Sequence, residues 1–431
     1  MRRTRQGRHV SQSVIELDRT PDLEKLRAAA VRVARKSPIL AARLRRDWMT
    51  WLPYWKLPEA PAGGLPMGRW HESGAADVLP GSSEITDTHE LLESILMEPL
   101  ARGGIAFQAR LDVVTLKGGA SLVALSWSHV LLDGKGAELL LGEIGRLCDG
   151  QDLPYEVKET PPPAITLKEK MHKTKAAIGR FKDLAQIGCP SLGGPKPRPG
   201  RGYYRNLTLS AEDSARLNAR VDQIAGALFP IAFYVACTAR AHDRVFQHRG
   251  KLPAGYVIGV PVQTRKRGAR GPFFHNQVTV FFFSAVREHL GSIEAAAAAM
   301  KQQFAEMTRA RLDQSFSALL ELMMRLPTWL FMRIVRSQFK GEICTCFHSH
   351  TGSFTPEMTE FAGGKITNAF HLPCVGAPPG TGLFFCERAG RVNVTLTWRE
   401  GCLSDEERRL MFAQIFEDLL GEKRPDLLHG V

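Results

Sequence analysis

In the stretch SWSHVLLDGKG, residues 126–136, His129 closes an apolar run, Asp133 follows four residues later and Gly134 comes next. A neutral imidazole with a pKa of about 6.5 can take a proton from an alcohol or amine as that group attacks a carbonyl, then return it to the leaving group. Acyl transfer is the chemistry that needs this layout. Asp133 need not meet the substrate. At a loop-to-helix junction it can pair with an arginine and fix the loop that carries His129, while Gly134 lets the chain turn. Arg43 and Arg265 are the candidate arginines; for each, a solvated surface charge is the competing reading. Spacing alone is weak, because the chain has 13 histidines and one aspartate at this offset is expected by chance. A buried structural histidine is the competing reading of His129.

A second cluster is CTCFHSH, where Cys344, Cys346, His348 and His350 alternate. On a strand they share one face, but the outer two stand about 20 Å apart at the strand rise. One zinc needs all its ligands within about 2.3 Å, so no metal site is assigned. A half-buried strand is the better reading. His350, Thr351 and Ser353 are then candidates for lining an acceptor site or donating to an oxyanion. Asn276 is a further candidate, against strand-end capping.

The elements that must position these groups follow from periodicity. TPDLEKLRAAAVRVARKSPIL predicts an amphipathic helix, with Pro21 in its first turn, Leu23, Leu26, Ala30 and Val33 on one face, and Pro38 ending it. IAFQARLDVVTL and SLVALSWSH predict strands joined by a hairpin at 117–120. Ala137, Leu140, Leu141, Ile144 and Leu147 then recur at helical spacing. TPPPA breaks the pattern, a basic helix is predicted over 166–187 with Leu167, Met171, Ile178 and Phe181 on one side, and CPSLGGPKPRPGRG reads as a linker. Ser210 caps a helix with Asp213 at the capping-box position, PIAFYVACTARAHDRVF is a buried helix, and GYVIGVPVQTR and NQVTVFFFSAV are strands. Ile293 to Met307 forms another amphipathic helix, RVNVTLTWREG a strand, and SDEERRLMFAQIFEDLL a closing helix. LMMRLPTWLFMRIVRSQFKG mixes bulky apolar residues with Arg325, Arg333, Arg336 and Lys340. A core helix pair broken at Pro327 is the favoured reading, and a helix lying on a membrane surface is the alternative.

At 431 residues the chain is long enough for two mixed α and β domains. Its net charge of +13 favours anionic partners: nucleic acid, phospholipid, an acidic carrier protein or a phosphate-bearing co-substrate. Eight scattered cysteines without a CxxC pair read as reduced thiols in a cytoplasmic protein. The basic start MRRTRQGRHVSQS lacks an apolar run behind it, so no secretory signal is expected, and no stretch spans a bilayer.

SHVLLDG resembles the HxxxDG signature of the chloramphenicol acetyltransferase-like acyltransferases, which include condensation domains and the wax ester synthase/diacylglycerol acyltransferases. LRAAAVRVARKSPILAARLRR, GVPVQTRKRGARGPFFHNQVTVFF, FHSHTGSFTPEMTEFAGGKITNAFHLP and GRVNVTLTWREGCLSDEE are similar to further segments of these proteins, in order, over most of the chain. Two departures stand out. Ser128 occupies the place of a first histidine, and GAPPGTGLFF stands where plant-type members carry a DFGWG-like motif. The resemblance implies an α/β (α+β) monomer of two acetyltransferase-like mixed-sheet halves, a pseudo-dimer with a central tunnel. Residues 1–165 would form the N-terminal half, 166–205 the basic helix and linker, and 206–431 the C-terminal half. It implies His129 as general base, Asp133 and Gly134 as structural residues, and Ser128, Arg265, Asn276, His350, Thr351 and Ser353 as substrate-binding candidates. No bound cofactor or metal is implied. The co-substrate would be acyl-CoA or a phosphopantetheinyl carrier protein, with an alcohol or amine, small molecule or lipid, as acceptor.

Two other functions compete. A catalytically inactive condensation-like protein would bind a carrier protein without turnover, and the intact HxxxDG argues against it. A nucleic-acid binder would need clustered basic and aromatic residues, whereas the charge here is spread through the chain and only six tyrosines occur.

Overall fold

The structure is a computed structural model that describes residues 9–49, 51–59, 63–71, 88–100, 105–151, 166–196, 200–265, 271 and 273–430. The TPPPA break and the first eight residues of the basic start lie outside these, as does the side chain of Leu167. In chain order the elements are β1 (Val10–Leu17), α1 (Leu23–Lys36), β2 (Arg43–Arg46), β3 (Pro53–Lys56), β4 (Met67–His71), α2 (Thr88–Met97), β5 (Ala109–Thr115), β6 (Ser121–Ser128), α3 (Gly134–Cys148) and α4 (Leu167–Ile187). The second half continues with β7 (Gly202–Thr208), α5 (Ala211–Ile224), α6 (Pro230–His248), β8 (Gly255–Gln263), β9 (Val278–Val286), α7 (Ile293–Arg309), α8 (Leu312–Met323) and α9 (Thr328–Ser337). It ends with β10 (Cys346–Ser353), β11 (Glu360–Phe361), β12 (Gly364–Leu372), β13 (Thr381–Arg388), β14 (Arg391–Arg399) and α10 (Asp405–Leu420).

Two six-stranded mixed sheets carry the fold, in the orders β11-β12-β1-β6-β5-β4 and β7-β14-β13-β10-β8-β9. Alternation along each strand sends one set of side chains to covering helices and the other toward the opposite half. In the first sheet Ile15, Val123, Leu125 and Trp127 pack with α1 and α3, while Val14, Leu122 and Phe370 form a smaller core with Tyr204 and Cys386 of the second half. In the second sheet Val394, Leu396, Leu383 and Phe385 pack against α6 and α10. A polar seam joins the sheets: the Asn393 and Asn368 side-chain amides exchange hydrogen bonds of 3.0 and 3.2 Å.

Residues 360–372 depart from the expected division. They belong by sequence to the 206–431 half, yet β12 pairs antiparallel with β1, Ser13 opposite His371, inside the first sheet. Long-range strand pairing overrides chain order here, and no local pattern announces it.

Local expectations are refined in three places. Helix α1 begins at Leu23 and is capped by Asp22, whose side chain accepts from the Glu24 and Lys25 amides, so Pro21 precedes the cap. Helix α4 turns Ala177 and Leu184 inward, whereas Met171 and Ile178 are exposed. The pair α8 and α9 does break at Pro327, but no described side chain of α9 is fully buried, so α9 is not a core helix. The hairpin between β5 and β6 turns on Gly118 and Gly119, both at positive φ (93° and 88°). Among the described residues no helix is long and apolar enough to cross a membrane.

Candidate active site

Strand β6 ends at Ser128, whose carbonyl accepts the amides of Leu131 (3.0 Å) and Leu132 (3.1 Å) and so turns the chain. Leu131 and Leu132 are buried in the core of the first half, and Val130 is exposed. These two anchors fix the loop, and His129 stays partly accessible at its start. The main chain of His129 is held at both ends: its amide donates to the carbonyl of His9 (2.8 Å), and its carbonyl accepts from the side-chain Nδ2 of Asn276 (2.7 Å). Its ring lies 5.0 Å from that of Trp127. Burial among protein atoms lowers the imidazole pKa below its ordinary 6.5; its own carbonyl, Asp133 and Asn276 pull upward more weakly, and His9 adds to the lowering.

Asp133 caps α3. One carboxylate oxygen accepts the Gly136 amide (2.7 Å), and the other accepts Arg265 Nη1 (2.7 Å) and the Gln277 amide (2.8 Å). Asp133 and the Arg265 side chain are 2% and 3% exposed, so this is a desolvated ion pair with no solvent to replace a lost partner. Of the two candidate arginines, Arg265 is therefore the partner, and its Nη1 holds the loop. Arg43 sits on exposed β2, paired across to Lys56.

Gly134 and Gly136 differ in what they do. Gly134 opens α3 without a positive φ, and a Cβ there would lie 4.0 Å from the His371 ring, an ordinary contact. The tight turn expected of it is absent. Gly136 is the glycine the fold requires, since a Cβ would meet the Phe273 carbonyl oxygen at 2.3 Å. That close approach lets residues 273–277 of the second half lie over the loop, where the His275 amide also donates to the Leu131 carbonyl (2.7 Å).

Behind the loop runs a buried polar chain that the sequence did not announce. Trp127 Nε1 donates to Ser13 Oγ (3.1 Å), Ser13 Oγ meets His371 Nδ1 (2.9 Å), His371 Nε2 meets Glu138 Oε1 (3.0 Å), and Lys135 Nζ donates to Glu138 Oε2 (2.8 Å). It ties β1, β6, β12 and α3 together and fixes the indole beside His129. Ser13 and His371 are 358 positions apart, so nothing in local sequence links them.

The second cluster lies elsewhere. Cys346, His348 and His350 turn toward α6, the face of the second sheet away from the first half. His348 Nδ1 bonds Thr238 Oγ1 (2.8 Å), and His350 stacks on Tyr234 at 4.4 Å. His350 therefore does not share a site with His129, because the period-2 alternation of β10 points it into the helix layer. Thr351 and Ser353 are exposed near the end of β10, and among the described residues no hydrogen bond connects them with the His129 loop. No group of three or more histidines, cysteines or acids among the described residues is placed to hold a metal ion.

No family model and no curated protein matches the sequence. Solved structures do. Against the first condensation domain of the calcium-dependent antibiotic synthetase, bound to a substrate analogue, identity is 16% and the TM-score 0.64, covering 97% of this chain and 94% of that one. TRI3 trichothecene 15-O-acetyltransferase from Fusarium sporotrichioides matches at 12% identity and a TM-score of 0.67, over 96% and 92%. The wax ester synthase/diacylglycerol acyltransferase from Marinobacter aquaeolei VT8 matches at 13% and 0.55, over 96% and 94%. Along nearly its whole length, then, the chain has the chloramphenicol acetyltransferase-like fold shared by condensation domains and acyltransferases.

Proposed function

We propose that the protein is an acyltransferase that moves an acyl group from a thioester to a hydroxyl or amine, with His129 as general base. The observation that carries this is the His129 loop itself: a partly accessible imidazole, kept neutral by its surroundings, on a loop pinned across the two halves by Asp133, Arg265, Gln277 and Asn276. A condensation domain, a trichothecene 15-O-acetyltransferase and a wax ester synthase/diacylglycerol acyltransferase share this fold, which supports the same reading.

The chemistry is that of a neutral base. In a neutral imidazole one ring nitrogen carries the proton and the other holds a lone pair. That lone pair accepts the proton of the acceptor as its oxygen or nitrogen attacks the thioester carbonyl. The tetrahedral intermediate then expels the thiolate, which takes the proton from the imidazolium. The bond made is an ester or amide, the bond broken is the thioester, and His129 returns neutral. Asp133 stays ion-paired throughout and acts only by position. A CoA or carrier-protein donor brings phosphate, which the net charge of +13 favours electrostatically.

The test is intact-mass screening of the purified protein with panels of acyl-CoA and acyl-carrier thioesters and of alcohols and amines. The reading expects thiol release coupled to acylated acceptor. Thiol release in none of the panels, or undiminished turnover by His129→Ala, rejects it.

A further inference from the structure

The strands β2 and β3 form a separate two-stranded ribbon outside both large sheets. Its tip is a built turn. The Asp47 amide donates to the Leu52 carbonyl (2.9 Å), the Trp51 amide to the Asp47 carbonyl (3.0 Å), and the Met49 amide to the Asp47 carboxylate (3.1 Å). Trp51 adopts a positive φ of 59°, a strained conformation for a bulky residue. The product of this ordering is exposure: Trp48 is 82% and Met49 70% exposed. A hydrogen-bonded turn thus holds these large apolar side chains outward.

The tip is joined to the segment that leads into α9. Arg46 Nη1 donates to the Trp51 carbonyl (2.7 Å) and also to the carbonyl of Met324, in the short segment between α8 and α9. Just beyond it Trp329 is 67% exposed, and α9 has no fully buried side chain among those described despite an amphipathic sequence. Residues 43–57 and 324–340 together hold eight lysines and arginines against a single acid, Asp47. Exposed tryptophans and methionine on two segments rich in cations match the headgroup region of an anionic bilayer, where indoles sit at the interface and basic side chains meet lipid phosphates.

We infer that the β2–β3 tip and α9 form one docking surface for an anionic phospholipid bilayer, holding the protein on the membrane peripherally. The tryptophans insert to headgroup depth, and the exposed Arg45, Lys56, Arg325, Arg333 and Lys340 meet lipid phosphate. The inference does not rest on the acyltransferase reading, because vesicle binding requires no turnover and its outcome is independent of His129.

The experiment is co-sedimentation of the full-length purified protein with phosphatidylcholine vesicles, with and without phosphatidylglycerol, at low and high salt. The same series is run on Trp48→Ser/Trp329→Ser, with thermal melting to check that the variant is folded. The wild type should pellet with the anionic vesicles only, with salt reversing it, since each cation near the surface contributes about fivefold to partitioning. The folded double variant should lose about tenfold or more in partitioning. Three results overturn the inference: wild type remaining in the supernatant with anionic vesicles at low salt, the variant pelleting as wild type does, or light scattering showing a dimer that the variant abolishes, which makes this face a contact between copies. Arg46→Gln gives a second check, because it frees the tip from the segment that leads into α9 without removing an apolar anchor, and it should weaken binding by a smaller factor than the double variant.

Discussion

Replacing His129 by alanine removes the proposed base without disturbing the leucines that anchor its loop. His129→Ala should keep the melting temperature and lose about 10²–10⁴ in the rate of acyl transfer, read from thiol release. Because burial lowers the imidazole pKa, the base is neutral throughout the physiological range. The acid limb of kcat/KM should therefore fall below pH 6.5, the ordinary value the ring departs from. Arg265 fails differently. Arg265→Ala leaves the Asp133 carboxylate buried with a lost partner, at a cost of about 3–5 kcal/mol. Melting temperature and activity should drop together, where His129→Ala separates them. The spacing of His129 and Asp133 was legible because HxxxDG is local. The choice between Arg43 and Arg265 was not, since it depends on which of two distant arginines the fold brings to a loop.

Among elements, α3 shows how a packed face positions a site. Leu140, Leu141 and Ile144 are fully buried, each worth about 1.5–3 kcal/mol, so the helix is held by its inner face more than by propensity. Its first turn then presents the Asp133 cap at a fixed height. Gly136→Ala forces a Cβ against a main-chain oxygen and should displace residues 273–277, releasing the Asn276 and Gln277 bonds. Gly134→Ala meets only ordinary contact and should change stability by about 1 kcal/mol or less. Parallel urea melts of the two variants rank them, and a Gly134→Ala protein less stable than Gly136→Ala contradicts this account. The helical spacing of α1, α3 and α7 was legible from side-chain pattern. The exposure of α9 was not, because periodicity reports an apolar stripe without saying what covers it.

Over the whole molecule, the second half buries His242, His348 and His350 as neutral rings. Burial lowers all three, His242 and His350 to about 4. Below the ordinary value of 6.5 the unfolded chain binds protons that these rings refuse, so their contribution to stability is present above pH 6.5 and is lost as pH falls toward 4. Asp418, pushed up to about 6 by burial, works in the opposite direction over part of this window. The histidine share is therefore read by difference. Urea melts at pH 7 and pH 5 should show a stability loss smaller by about 2 kcal/mol in His242→Gln than in wild type.

By itself the sequence determined the local structure and the chemistry within reach: a histidine and an aspartate on one loop, the helices and strands around them, and a basic surface. These follow from contacts a few residues apart, which periodicity and spacing record. Only the tertiary structure decided which residues of the second half close over the loop, that residues 360–372 complete the first sheet, that His350 turns away into a helix layer, and that Trp48 and Trp329 are both left exposed. Each of those depends on which distant segments pair, and burial against a partner hundreds of residues away leaves no imprint on a single sequence.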